Sequence, residues 1–299
     1  MNKLKGLAVL SAVGLLLSGC TAEQAESSEI AETVPVEKHL VVLGDSISAG
    51  YGLEDTDSER YSVLLTDMLN QQDEAEWKEY NYALSGDDSS DLLYRLEVGR
   101  AVRLPSADTI IICIGANNLL GVYTDYLESL VGDADVMNMT DEELDQLEAD
   151  LIEQVQNDTD IYDKLKEAMD AGLVRLESDL EEIYTWIRER NATADIYVMN
   201  VYNPYADADD SMLLNTDIPM DTFAQEELDR CNEIIAAWEA AHPDLHAVDL
   251  AAAFAACDPI PIIGATEAGE ADATYLDPHP NAEGHRVIAD LLYDAITSK

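Results

Sequence analysis

Two short segments, Leu40-Val41-Val42-Leu43 and Thr109-Ile110-Ile111-Ile112-Cys113-Ile114, carry no charge and stop at Gly44 and Gly115. A strand with one wet face alternates apolar and polar residues, whereas an unbroken apolar run of about four to eight residues suits a strand buried on both faces. Between such runs the spacing turns helical: Tyr61, Leu64, Leu65, Met68 and Leu69 fall on one helix face. Further strands are expected at Tyr80–Leu84, at Ile196–Val201 and, more weakly, at Leu245–Val248. Asp91–Val102 and Gly284–Ile296 read as helices. Strands alternating with helices imply an α/β fold around a parallel sheet.

One interval is long for that layout. About 80 residues separate Ile114 from Ile196, where roughly 30 suffice for a crossover unit. Asp141–Gln156 and Ile161–Arg190 read as helices, and Thr140 with Glu143 forms a Thr-x-x-Glu capping box. Residues 119–190 therefore read as an acidic helical insertion, either a lid over a site or a solvated excursion.

The amino terminus has a different character. Lys3 and Lys5 precede an apolar run, Leu7–Leu17, too short to span a bilayer but suited to a signal peptide. The run ends in Leu17-Ser18-Gly19-Cys20, which resembles a bacterial lipobox. That resemblance implies a signal peptide over 1–19, acylation of Cys20 and anchoring to the outer face of a bacterial membrane. Residues 20–37, polar and without apolar periodicity, read as a flexible tether. The folded domain is expected over 38–299.

The 62 acidic against 16 basic side chains give a formal net charge of −46. Such a field repels nucleic acid and anionic headgroups, so no nucleic-acid partner is expected. An acidic secreted protein is preferred over halophilic adaptation as its origin. Cys113, Cys231 and Cys257 match no zinc or redox spacing, and neither a disulfide nor a catalytic thiol is expected. Asp207-Ala208-Asp209-Asp210 lacks the Gly and closing Glu of a calcium loop. No paired-His motif occurs, so neither metal nor cofactor is expected. His39 reads as an exposed edge residue at the start of a strand and His285 as a packing residue at a helix start.

Chemistry concentrates in a few loops. Gly44-Asp45-Ser46-Ile47-Ser48-Ala49-Gly50 directly follows the first strand. Open α/β sheets bind ligands beyond the carboxyl ends of their strands, so Ser46 would present its hydroxyl to that crevice. A serine needs a base to become nucleophilic. His279, in Asp277-Pro278-His279-Pro280-Asn281, is the candidate base, with Asp277 available to orient it. Candidate donors for an oxyanion are the backbone N–H groups of Ser46 and Gly86 and the side-chain amide of Asn117. Asn203-Pro204-Tyr205 either lines the crevice or forms a plain turn.

These blocks resemble the SGNH, or GDSL, hydrolase family. Gly44-Asp45-Ser46-Ile47 resembles its first block, and Gly86 falls at the glycine of its second. Gly115-Ala116-Asn117-Asn118 is similar to its Gly-x-Asn-Asp block, and His279-Pro280-Asn281 to its last. The resemblance implies a flavodoxin-like three-layer α/β/α sandwich with a sheet of about five strands. It also implies ester hydrolysis through an acyl-enzyme, with Ser46 as nucleophile, His279 as base and Ser46, Gly86 and Asn117 as the oxyanion hole. The substrate class stays open among lipid esters, acylated glycans and thioesters. Two positions depart from the pattern. The family's Asp lies three residues before the His, where this chain has Leu276, so either the loop accommodates Asp277 or a Ser-His dyad leans on a backbone carbonyl. Asn118 replaces the usual Asp of the third block. A ligand-binding lipoprotein with weak or no catalysis on the same fold is the alternative.

Overall fold

The computed structural model describes residues 35–299 except 73, 133–138, 207–212, 214–215, 265–276 and 299. The signal segment and Cys20 lie outside the described residues, as do Asp207–Asp210 and Leu276.

Five strands form one parallel sheet: β1 (Glu37–Gly44), β2 (Glu76–Asn81), β3 (Thr109–Cys113), β4 (Asp195–Met199) and β5 (Leu245–Val248). Their spatial order is β2-β1-β3-β4-β5. The chain thus builds outward from β1 on one side and then restarts on the other, which places a topological switch point between β1 and β3. The register there pairs Leu43 with Ile112 and Gly44 with Cys113. A Cβ on Gly44 would overlap the Cys113 carbonyl oxygen, so only glycine lets the two backbones approach so closely.

Side chains alternate across the sheet, and both faces are dry. Val41, Leu43, Ile110, Ile112, Ile196 and Val198 point to one core; Leu40, Val42, Ile111, Cys113, Tyr197 and Met199 point to the other. This two-sided burial explains the unbroken apolar runs. The first core is covered by α4 (Ser89–Glu97), α5 (Ala116–Val131), α7 (Ile161–Arg190) and α8 (Met220–Ala241). The second is covered by α3 (Tyr61–Gln72), α9 (Leu250–Ala255) and α10 (Ala282–Thr297). Two single-turn helices, α1 (Ser46–Ala49) and α2 (Thr56–Glu59), and the longer helix α6 (Asp141–Asn157) lie among the described residues as well. The architecture is the expected three-layer sandwich.

Three expectations need correction. The second strand lies at Glu76–Asn81, not Tyr80–Leu84. As an edge strand it buries only Trp77 fully, so its sequence lacks the apolar run of the inner strands. Backbone bonding nevertheless continues past it, because Leu84 N–H donates to the Gly44 carbonyl. The interval 119–190 is not wholly an insertion. In α7 the stripe Leu165, Met169, Leu173, Leu176, Leu180, Ile183 and Ile187 is buried in the first core, making α7 the crossover helix of that layer. The helix α6, capped by Thr140 and Glu143 as expected, shows no equivalent buried stripe among its described residues. Finally, His39 is no edge residue: it lies within β1, whose start at Glu37 claims the end of the expected tether, and its ring contacts Glu37 and Ser106.

Cys113, Cys231 and Cys257 are free thiols. Among the described residues no helix is long and apolar enough to cross a membrane, and no cluster of metal-ligating side chains occurs.

Candidate active site

Ser46 sits where β1 breaks into α1. The Asp45 side chain caps that turn by accepting the Ile47 N–H at 3.0 Å, and Gly50, in the left-handed region, closes it by donating to the Ser46 and Ile47 carbonyls. The hydroxyl is thereby held at the carboxyl edge of the sheet, beside the switch point. Asp45 itself is buried, and desolvation pushes its carboxyl up to about 7 against the pull of the Ile47 N–H, with a small further rise from Asp87. Its Oδ2 has no hydrogen-bond partner among the described residues.

His279 lies 233 positions away, and its Nε2 is 2.9 Å from Ser46 Oγ. On the far side of the ring, Nδ1 is 2.7 Å from Asp277 Oδ1. The same oxygen accepts the His279 backbone N–H at 3.0 Å. This Asx-type turn, in which an Asp side chain binds the amide two residues on, is how the short spacing works. The turn folds Asp277 back alongside the ring, so the two-residue interval still brings its carboxylate to His279 Nδ1.

The loop bearing His279 is pinned by neighbours that the sequence did not mark. Ile263 N–H donates to the His279 carbonyl and Gly264 N–H to the Asp277 carbonyl. Ile262 bridges Pro280. Tyr202 Oη donates to the Pro278 carbonyl at 2.5 Å, and the Tyr51 ring packs against the imidazole with centroids 4.4 Å apart. Asn281 caps α10 through the Glu283 and Gly284 amides, a signal that its position before the last helix does carry. His285 packs as expected: it is fully buried, stacks on Tyr61 and accepts the Tyr61 N–H on Nδ1.

The candidate oxyanion donors occupy three loops at the same edge of the sheet. Gly86 has φ +88° in the turn closed by the Asp87 N–H and the Leu84 carbonyl, a conformation that favours glycine at the third turn position. The Asn117 amide donates to the Asp87 carbonyl at 2.9 Å, so Asp87 ties the Gly86 turn to Asn117. Gly86 is exposed and stands outside the cavity described next, whereas Asn117 lines it with Ser46 and His279. Asn118 is buried: its Oδ1 accepts the Ser89 N–H, and its amide donates to Ser89 Oγ and the Gly172 carbonyl. A carboxylate there could accept but not donate, which accounts for Asn in place of Asp with this partner set.

Beside Ser46 opens a cavity of ≈ 110 Å³, walled by Leu119 of α5, Met169 of α7, Met220 and Phe223 of α8, and by Pro204 and Tyr205. Asn203-Pro204-Tyr205 thus does reach the crevice, through its last two residues.

The chain is similar to known proteins in sequence and in fold. The chain is 24% identical to Uncharacterized protein YpmR of Bacillus subtilis (strain 168), over 98% of this chain and 96% of that one. Its fold resembles an extracellular lipase from Streptomyces rimosus (TM-score 0.55, 18% identity, 86% of this chain and 99% of the other). It also resembles an acetylxylan esterase from Geobacillus stearothermophilus (TM-score 0.53, 15% identity, 88% and 96%). Residues 42–287, from the middle of β1 to the second turn of α10, match a single family description. The stretch holds every side chain placed around Ser46 above, and the chain belongs to the GDSL-like lipase/acylhydrolase family.

Proposed function

We propose that the protein is a serine-dependent ester hydrolase working through an acyl-enzyme. The observation that carries this reading is the continuous chain Ser46 Oγ, His279 Nε2, His279 Nδ1, Asp277 Oδ1, with links of 2.9 and 2.7 Å. With Nδ1–H donated to Asp277, Nε2 is free to accept the Ser46 proton as Oγ attacks the carbonyl. The C–O bond to the alcohol then breaks as the imidazolium returns that proton to the leaving oxygen. A water, deprotonated by the same nitrogen, attacks the acyl-Ser46 carbonyl, and the acid departs as Ser46 recovers its proton. Negative charge on the carbonyl oxygen is met by the Ser46 and Gly86 N–H groups and by the Asn117 amide, which keeps one N–H beyond that given to Asp87.

Lipase and acetylxylan esterase neighbours share the fold but differ in substrate, so the fold alone names none. Ser46→Ala is expected to lower turnover of p-nitrophenyl esters by ~10³-fold or more; a variant with undiminished rates rules out Ser46 as the nucleophile. By its Leu17-Ser18-Gly19-Cys20 ending, we also place the protein on the outer face of a bacterial membrane, held by lipid on Cys20. Cys20→Ala is expected to abolish labelling by a tagged fatty acid in cells. Persistent labelling would put the anchor elsewhere.

A further inference from the structure

The proposed proton transfers use one wall of the cavity beside Ser46 and leave the rest unexplained. Away from Ser46, His279, Asn117 and the two tyrosines Tyr202 and Tyr205, the walls are mainly apolar and include Leu119, Met169, Leu213, Met220, Phe223 and Leu228, drawn from α5, α7, α8 and the segment before α8. These side chains offer no hydrogen bonds. Glu227 also reaches the cavity, but both its oxygens are taken, Oε1 by Lys166 and Oε2 by Arg230. A sugar hydroxyl placed against these apolar walls would lose its water partners without replacement, a cost of a few kcal/mol for each group. A hydrocarbon would gain from the same walls.

We infer that this cavity holds the acyl chain of the substrate, a linear aliphatic acid of roughly six carbons counted from the carbonyl, while the alcohol leaves toward solvent. The inference rests on the ester-hydrolase reading above and names its substrate class. The size follows from volume. An apolar cavity of about 150 Å³ holds benzene, so the present ≈ 110 Å³ has room for about four or five methylene-sized groups beyond the reacting carbon. Each buried methylene adds about 0.8 kcal/mol, close to fourfold in kcat/KM.

The test uses the full chain and two ester series. With p-nitrophenyl esters from acetate to decanoate, kcat/KM is expected to climb about fourfold per methylene as far as hexanoate and then level off. With alkyl acetates from ethyl to octyl, it is expected to stay within about threefold, below one methylene's worth of burial. Ala224 lines the cavity, and leucine is a good helix former. Ala224→Leu is therefore expected to cut the hexanoate-to-acetate ratio of kcat/KM at least about tenfold, the worth of two lost methylene sites. Ser46-dependent hydrolysis with a flat acyl series, or a climb along the alkyl series instead, overturns the inference while leaving the hydrolase reading intact. Hydrolysis that is absent or independent of Ser46 defeats the hydrolase reading itself. Should Ala224→Leu fail to fold, the two series on the unaltered protein decide.

Discussion

On the sheet face covered by α3, α9 and α10, polar groups reach the carboxyl edge in a pinned loop: His279 and Asp277 stand between Tyr202, Tyr51 and the 260–264 segment. On the opposite face, α5, α7 and α8 bring apolar side chains to the same edge and line much of a cavity. Ser46 lies at the boundary, at the end of a strand whose residues alternate between the two cores. The difference is between kinds of accuracy. Proton transfer needs atoms held to a few tenths of an ångström, and that face supplies hydrogen bonds to fix them. Hydrophobic burial is non-directional and needs only a dry volume of suitable size, and helix side chains supply that.

The sharpest way to break this division is Asp277→Asn. Loss of the orienting carboxylate is expected to lower kcat by ~10²- to 10⁴-fold, while the hexanoate-to-acetate ratio stays within about twofold, because a methylene's burial lies on the other face. A change in that ratio would mean the two faces are not separable. A fall in kcat of less than about threefold would return the backbone-carbonyl dyad to consideration, since an orienting carboxylate is worth far more.

A smaller effect concerns the packing beneath the pinned loop. Burial, with lesser contributions from Arg60 and His279, lowers the His285 pKa from 6.5 to about 4. Folding therefore favours the neutral ring. Its contribution is fully present above pH 6.5 and is lost as pH falls toward 4, where the unfolded chain holds a proton that the folded one does not. The loss is on the order of 3 kcal/mol across that window. Urea titrations at pH 7 and pH 4.5 are expected to differ more for the unaltered protein than for His285→Gln. Equal differences would show that His285 does not set this dependence.

Much of this was legible in advance. The inner strands announced themselves because burial on both faces forbids charge, and Ser46 and His279, which the fold brings within 2.9 Å, stood out by their residue types in glycine- and proline-flanked loops. Asp277 was half legible: its identity suited the role, but its spacing did not. The edge strand at Glu76–Asn81 was missed because a strand with one neighbour is free to be polar. The role of α7 was misjudged because exposed acids are interleaved with its buried stripe along the whole helix.

Local sequence determined what each segment could be: a buried strand, a capped turn, a nucleophile beside a strand end. It did so through steric and solvation rules that act over a few neighbouring residues. Tertiary structure alone decided that Asp277 folds back on His279, that Tyr202 and Ile263 hold their loop, and that three helices leave a void beside Ser46. Those outcomes depend on which surfaces meet after the chain has closed loops of tens to hundreds of residues, and pairings at that range leave no mark on the order of residues nearby.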